Sequence, residues 1–408
     1  MRVLLIKNAT GFRTIGLNFA LVANTFIWYF YAFSILKEVL NNIQLSYYEV
    51  LAVWAVNFSG AAISALSGAI IAEKLQRQFN FLLPWMFLGV ISSLLPIFID
   101  ITTLFAVLTI SLLFGVSFGF GMPSCMEYFS ESTSIENRAK IGGILSFIFG
   151  LGAFFLGIMP AQSIIEKGSI LSVWRILGLL IFLLLKSSQK NLKRSSGAFS
   201  YSQILTQRRF FLYFIPWCMF CLVNYSTFPI AASFFGEKFL WLSGVIEGAL
   251  IGISAIAGGF LADIFGRKRV SISGFILLGL GYAILGLFSE NLLSLYFYIT
   301  VDGIAWGIFY TLFLFTLWGD LAYSSSSKKY YAIGGLPFLL SNFLQLIIGP
   351  YVVKTISIYT IFSLASFFLF LSVIPLMYAP ETLSEKKIQD RDLKQYIEKA
   401  KKTREKYT

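Results

Sequence analysis

The sequence Gly259-Phe-Leu-Ala-Asp-Ile-Phe-Gly-Arg-Lys-Arg269 lies between two long apolar runs and carries the features that decide the fold. Gly259 lets two helices approach closely, and Asp263 ends a helix where its carboxylate can reach the end of a neighbouring helix. Gly266 turns the chain, and the three cations that follow it anchor a membrane surface. The pattern predicts two membrane-spanning helices joined by a tight basic loop.

The composition of the whole chain is also that of a membrane protein. Of 408 residues, 57% are hydrophobic and 13% are charged, and this charged share is about half that of a soluble domain. A helix needs roughly 20 apolar residues to cross a bilayer. Such runs predict twelve spans, at 11–36, 48–72, 81–99, 102–123, 141–160, 170–185, 210–235, 239–262, 270–288, 292–318, 332–353 and 355–379. The sequence therefore predicts an all-α integral membrane protein and excludes a soluble globule, a disordered chain and a disulfide scaffold.

Basic residues alternate between the predicted loops. The N-terminus, every second loop and the C-terminal tail hold most of the 32 lysines and arginines, whereas the opposite loops hold Lys37, Lys167, Lys238 and Lys354. Because loops rich in Lys and Arg stay in the cytoplasm, both chain ends are predicted to be cytoplasmic, in the plasma membrane. The net charge of +12 follows from this topology and indicates contact with the lipid bilayer, with no nucleic-acid partner.

A polar, basic linker divides the spans six plus six. We expect an N-terminal bundle at 1–185, a cytoplasmic linker at 186–209, a C-terminal bundle at 210–379 and a charged cytoplasmic tail at 380–408. The two halves also share glycines at one constant offset, since Gly143 recurs as Gly335 and Gly115 recurs as Gly307. Such an internal repeat predicts two pseudo-symmetric six-helix bundles.

The loop at 259–269 resembles the signature of the major facilitator superfamily, G-x-x-x-D-x-x-G-R-K-R, at every defining position. The equivalent place in the first half has Ala72 instead of the acid, and Glu73 is displaced by one position. Three further stretches resemble the sugar-porter-like, metabolite:proton symporter branch, namely 128–139, Trp174-Arg175 and Pro380-Glu381-Thr382. The resemblance implies the major facilitator fold, with twelve transmembrane helices in two six-helix bundles.

In that superfamily, acids and arginines at the cytoplasmic helix ends form ion pairs that break when the transporter opens inward. By resemblance, this gating role falls to Gly259, Asp263, Gly266, Arg267, Glu131, Arg138 and Glu381. The alternative is that these residues are topological anchors and helix caps, because exposed ion pairs contribute little.

Few charged residues lie within the predicted spans: Arg175, Glu247 and Asp302, with Glu127 at the inner edge. A charge inside a membrane is costly, so each of them is a candidate functional group. Asp302 shares a helix face with Trp306 and is the first candidate for proton coupling, followed by Glu247 and Glu127. The alternative is that Asp302 and Glu247 reach water near the outer interface. Arg175 is a candidate partner of Glu247 or of an anionic substrate.

Spans one, four, seven and ten should line a central cavity if the superfamily arrangement holds. Amides and aromatic rings at helical spacing in the spans, with span eleven added, are the candidate lining. They are Asn24, Trp28, Tyr31, Trp217, Asn224, Asp302, Trp306, Tyr310, Asn342 and Gln345. This combination suits a small polar molecule with apolar faces, such as a sugar or an organic acid. The alternative is that the rings pack against neighbouring helices or lipid.

These patterns predict a monomeric secondary active transporter that moves a small organic solute by alternating access, coupled to protons. An efflux carrier, a uniporter and a non-transporting membrane sensor on the same scaffold are the alternatives. The sequence has no phosphate-binding loop or catalytic triad, and Cys218-x-x-Cys221 lacks a histidine or a second cysteine pair. Enzymatic activity, a cofactor and a bound metal are therefore not expected.

Overall fold

The computed structural model describes residue 11 and residues 13–75, 78–99, 101–161, 163–185, 199–322 and 325–383. Within these ranges the chain forms helices joined by short loops, with no β-strand, and eleven helices are long and apolar enough to cross a membrane. They are α1 (Arg13–Asn42), α2 (Tyr47–Lys74), α3 (Phe79–Phe98), α4 (Leu104–Ser132), α5 (Arg138–Ile158), α6 (Ile164–Leu185), the run Arg208–Phe265, α9 (Arg267–Leu287), α10 (Leu292–Ala322), α11 (Lys328–Thr355) and α12 (Ile358–Tyr378).

The run Arg208–Phe265 is two spans rather than one. A straight helix of its 58 residues would be roughly 87 Å long, about three times the thickness of the hydrocarbon core. Gly236 interrupts it with φ 61° and ψ −147°, a conformation open to glycine. The run is therefore divided into α7 (208–235) and α8 (237–265), and the described residues contain the twelve predicted spans.

Several helices extend beyond the predicted spans at their ends. The first span was expected at 11–36 and α1 ends at Asn42, and the fourth was expected at 102–123 and α4 ends at Ser132. Hydropathy marks the stretch that hydrocarbon covers, whereas the helix continues into the polar interface as long as its backbone bonds and caps allow. The residues that close one end of the molecule lie on these extensions.

The two halves of the chain meet along a few helices. Extensive packing joins α5 to α8 and α2 to α11, whereas the other close pairs, such as α2 with α4 and α8 with α10, lie within one half. Between the halves, the rings of Phe26, Phe149 and Phe315 stack with centroids 5.4 to 6.4 Å apart. The core is thus largely aromatic where the two halves touch.

The internal repeat is visible in the packing of two glycines. A Cβ on Gly115 in α4 would overlap the backbone of Asn57 in α2, and a Cβ on Gly307 in α10 would crowd the carbonyl of Ile251 in α8. Equivalent glycines therefore serve equivalent crossings in the two halves, as duplicated bundles require.

Part of the predicted domain division cannot be compared with the structure. Residues 186–198 of the predicted linker and 384–408 of the predicted tail lie outside the described residues. The division at 185, 209 and 379 stays a prediction.

We call the end of the molecule where α4, α8 and α10 end, and where α5, α9 and α11 begin, the basic face.

Candidate functional site

One carboxylate closes the basic face by binding two arginines. Asp320 in α10 accepts a hydrogen bond from Arg138 Nη1 at 2.5 Å and one from Arg267 Nε at 3.1 Å. The side chains of Asp320 and Arg267 are fully buried, and that of Arg138 is 7% exposed. Because Arg138 begins α5 in the first half, this gate triad joins the two halves. Removing one partner of a buried ion pair strongly destabilises a protein, because the other charge stays buried without compensation.

Asp263 makes a second contact across the halves. Its carboxylate accepts from the backbone N–H of Lys140 at 2.8 Å and of Ala139 at 3.3 Å, in the first turn of α5. It also pairs with Arg267 at 2.7 Å. A carboxylate is favourable there because the first N–H groups of a helix are unpaired and the helix dipole is positive. Gly259 permits this crossing, since a Cβ on it would overlap the carbonyl of Ala139.

Gly266 and Glu381 shape the loop behind the gate triad. Glu381 accepts from the backbone N–H of Arg267 at 2.8 Å and of Lys268 at 3.1 Å, so it caps the start of α9. Gly266 has a φ of 99°, and a Cβ on it would overlap the Glu381 carboxylate. This turn therefore requires glycine.

We expect Gly266→Ala to destabilise the protein by about 1–3 kcal/mol, because alanine is strained at positive φ and its methyl group meets a carboxylate. The melting temperature of the purified protein in detergent measures the effect. Gly335→Ala is the matched control, since Gly335 lies in α11 with open space at its Cβ position, and alanine favours a helix. A Gly266→Ala melting temperature equal to the wild-type value would contradict this account.

The structure brings most of the predicted gate residues together around Asp320. Those found there are Gly259, Asp263, Gly266, Arg267, Arg138 and Glu381. Glu131 does not join them, because it is exposed and forms no ion pair with the part of the chain described. Sequence analysis missed Asp320, which lies two residues beyond the predicted end of span ten at 318. An acid just past an apolar span, facing two arginines in equivalent loops, is the signal that could have found it.

Glu127 lies at the closed basic face. Its carboxylate pairs with Lys328 Nζ at 2.6 Å and accepts from Ser326 Oγ at 2.6 Å, across the halves. In this conformation the lysine balances its charge, and the predicted role of Glu127 in proton coupling stays a prediction. The displaced acid of the first half has a similar function, since Glu73 pairs with Lys329 at 2.7 Å.

Arg175 is fully buried among α1, α3 and α6. Its Nη1 donates to Asn24 Oδ1 at 2.9 Å, and its guanidinium lies 4.7 Å from the ring centroid of Trp85. Arg175 and Glu247 lie in different halves and form no ion pair, so the predicted pairing is wrong. A Cβ on Gly89 would overlap the Nε edge, and Arg175 Nε and Nη2 are buried without a hydrogen-bond partner among the described residues. The predicted binding of an anionic substrate stays a prediction.

Asp302 and Glu247 form a buried carboxyl pair in the second half. Asp302 accepts from Tyr298 Oη at 3.1 Å and from Asn224 Nδ2 at 3.3 Å, and Glu247 lies close enough to interact with it electrostatically. Asp302 is 3% exposed and Glu247 is 7% exposed, so the alternative of two carboxylates in water at the interface is wrong. Two carboxyl groups brought together in a buried site repel each other when both are ionised, so such a pair favours sharing a proton.

Four of the predicted cavity residues are buried in hydrogen bonds within their own half: Asn24, Trp28, Trp217 and Asn224. Trp28, for example, donates its Nε1 to Ser93 Oγ at 2.6 Å. Trp217 donates its Nε1 to the carbonyl oxygen of Gly334 at 2.9 Å. These side chains hold helices together in this conformation, and the prediction that they line the cavity is corrected.

The remaining predicted cavity residues are better placed for a solute. They are Tyr31, Trp306, Tyr310, Asn342 and Gln345. The Tyr31 hydroxyl is buried without a partner, and the side chains of Tyr310, Asn342 and Gln345 are half-buried and form no hydrogen bond to described residues. Polar groups without partners at such positions are available to a bound molecule.

A cavity of about 70 Å³ lies between the halves, next to the gate triad. Its walls come from α1, α2, α4, α10 and α11 and include Phe26, Phe118, Met126, Trp318, Tyr331 and Phe338. None of the predicted cavity residues is among its described lining residues. This cavity is lined by four of the helices that the sequence predicted, α1, α4, α10 and α11, together with α2.

Comparisons with known proteins agree with this architecture. Residues 237–404 match the sequence model of the Major Facilitator Superfamily, and no curated protein matches the chain significantly. The chain is similar to the proton:xylose symporter XylE bound to 6-bromo-6-deoxy-D-glucose, with a TM-score of 0.69, 15% identity, and coverage of 90% of this chain and 96% of that one. It is also similar to the E. coli fucose:proton symporter FucP, with a TM-score of 0.68, 13% identity, and coverage of 89% and 98%.

At 15% and 13% identity, the similarity to these solved structures shows a shared fold and nothing further. That fold extends over both halves of the chain. The sequence match lies in the second half, where the loop at 259–269 closes the basic face. Residues 237–404 are therefore similar in sequence to the Major Facilitator Superfamily, and the chain as a whole has the fold of the two symporters.

Proposed function

We propose that the protein is a proton-coupled secondary transporter that moves a small organic solute across the plasma membrane by alternating access. The two proteins that share its fold are named as proton symporters of xylose and fucose, which supports a sugar-like solute and a proton as the coupling ion. We assign the basic face and both chain ends to the cytoplasm on the charge of the loops. On that assignment, the gate triad closes the cytoplasmic side and the structure is an outward-facing or occluded state.

The buried carboxyl pair of Asp302 and Glu247 is the observation that carries the proposal. A coupling group must hold its proton while it is sealed from water and release it when the transporter changes state. The pair is sealed in this conformation and is bound by Tyr298 and Asn224. Trp306 follows Asp302 by one helical turn, and its ring contacts that of Tyr310 at 4.9 Å. A solute that moves these rings therefore acts on the carboxyl pair.

We expect Asp302→Asn to abolish accumulation driven by a proton gradient while leaving solute exchange, because the amide keeps the shape of the carboxyl group but cannot cycle a proton. The protein would be reconstituted in liposomes, and uptake of labelled xylose, fucose and glucose would be measured with an inward proton gradient and without one. Counterflow in the absence of the gradient measures exchange.

Glu237→Gln is the matched control, since Glu237 is an exposed acid near the break between α7 and α8 and ten residues from Glu247. It should retain wild-type accumulation. Gradient-driven accumulation by Asp302→Asn at the wild-type level would refute proton coupling through this pair. If the wild type takes up solute at the same rate with and without the proton gradient, the protein is a uniporter.

A further inference from the structure

We propose that the cavity beside the gate triad receives an aromatic part of a neutral solute, so that the transported molecule is amphipathic. This inference rests on the proposed transport function and narrows its solute class. The cavity has a volume of about 70 Å³ in this conformation, which is room for one part of a solute and not for a whole drug-sized ligand. Both halves line it, as a site must that is reached from the two membrane sides in turn.

The cavity walls are apolar and aromatic. Six of the fifteen described lining residues are aromatic and none is charged. The one side-chain hydroxyl among them, on Tyr331, already donates to the carbonyl oxygen of Phe315 at 2.6 Å. The indole Nε1–H of Trp318, which is buried without a partner, is the one side-chain donor that the described lining offers. A solute part with several hydroxyl groups would therefore lose more hydrogen bonds to water than it gains here, whereas an aromatic ring can pack against other rings. The walls therefore favour a neutral ring over the polar part of a sugar or an organic acid.

Polar groups begin directly beside the cavity. Phe338 lines it, and Asn342 and Gln345 follow one and two turns later on the same face of α11. The ring of Phe338 also lies 6.1 Å from that of Tyr310. The amides and this hydroxyl form no hydrogen bonds to described residues. One end of a solute can thus meet rings while its other end meets hydrogen-bonding groups, which is the arrangement an amphipathic molecule requires.

The cavity lies at one of the two interfaces between the halves that the internal repeat relates to each other. Gly143 in α5 packs so tightly against α8 that a Cβ on it would overlap the carbonyl of Ala255. Its counterpart in the repeat, Gly335 in α11, lines the cavity and has no atom within 4 Å of its Cβ position. The same residue type seals one interface between the halves and leaves the other open. The cavity is therefore a specific departure from the symmetry of the fold.

The cavity also borders the gate triad. Trp318 in its wall precedes Asp320 by two residues. Between them, a Cβ on Gly319 would lie 2.6 Å from the Tyr331 hydroxyl and 3.3 Å from Arg138 Nη1. A ring seated against Trp318 and Tyr331 therefore presses on the backbone that carries Asp320. Occupation of the cavity and closure of the basic face are then coupled through one short segment of α10.

Equilibrium binding to the purified full-length protein in nanodiscs tests this inference. The probes are phenyl and 4-nitrophenyl glycosides of xylose, fucose and glucose, the methyl glycosides of the same sugars, and indole, titrated by calorimetry. We expect at least one aryl glycoside to bind about tenfold or more tighter than its methyl counterpart. Gly335→Phe should reduce that preference to near unity, because its ring fills open space in the cavity.

Gly150→Phe is the matched control, since Gly150 lies in α5, is exposed and also has open space at its Cβ position. It should keep the aryl preference. Phe338→Leu, which removes one wall ring and adds no bulk, should weaken the aryl glycoside about three- to tenfold and leave the methyl glycoside unchanged. If Gly335→Phe folds poorly, the affinities of Phe338→Leu for the aryl and methyl glycosides test the inference instead.

The inference is overturned if methyl and aryl glycosides bind equally, if the preference survives in Gly335→Phe, or if neither indole nor any aryl glycoside binds saturably. The binding assay needs no proton gradient. Failure of proton coupling in liposomes would therefore leave a positive binding result standing, and failure of aryl binding would leave proton-coupled uptake of a sugar standing.

Discussion

Asp320→Asn should open the basic face. The substitution leaves Arg138 and Arg267 buried with no full negative charge between them, and the loss of one partner from a buried ion pair costs about 3–5 kcal/mol. The closed state would lose roughly 100-fold or more in population relative to the open one. Spin labels at Ser134→Cys and Arg269→Cys, in a background without native cysteines, would report a longer distance between the two halves. Both label positions are exposed and lie on the basic face.

The control is Glu38→Gln, which removes the ion pair with Lys167 at the far end of the molecule. That pair is partly exposed, with side-chain exposures of 22% for Lys167 and 32% for Glu38, so its loss should cost less than about 1 kcal/mol. It should leave the distance between the labels unchanged. If Asp320→Asn keeps the closed distance distribution, the gate triad does not hold the two halves together.

Gly143→Leu should also open the basic face, in this case through a steric clash. A side chain at this position must push α5 away from the backbone of Ala255 in α8, and overpacking of this kind costs about 1–3 kcal/mol or more when it meets backbone. Because α5 and α8 belong to different halves, the cost falls on the closed basic face. We expect a longer distance between the same labels and transport reduced about tenfold or more.

Gly150→Leu is the matched control on the same helix, with open space at its Cβ position and an exposed surface. It should transport at the wild-type rate. Wild-type transport by Gly143→Leu would mean that α5 and α8 separate easily, and the tight crossing would then have no role in alternating access.

The membrane fold follows from the sequence because its cause is local. Each span is long and apolar enough to be identified from its own residues, and the basic loops predict the orientation without reference to neighbouring helices. The break at Gly236 also lies in the loop predicted between the seventh and eighth spans, 235–239. The helix ends were less well predicted, because hydropathy does not report where backbone hydrogen bonding stops.

The candidate site was predicted in part, and the misses have one physical cause. Asp263 and Arg267 were found because they lie in one short motif with defined spacing. Asp320 was missed because its partners Arg138 and Arg267 are 182 and 53 residues away and are brought to it by helix packing. Trp28 and Trp217 have the spacing of a cavity face, yet their rings turn into their own half and donate to Ser93 and Gly334.

By itself, the sequence determined the number of spans, the internal repeat and the loop that closes the basic face, since these depend on hydrophobicity and local motifs. Only the tertiary structure decided that one carboxylate, Asp320, binds two arginines, that Asp302 and Glu247 share a site, and that Gly335 borders a cavity where Gly143 borders a helix. These features depend on which helix faces meet, and residues far apart in the chain set those faces through close packing.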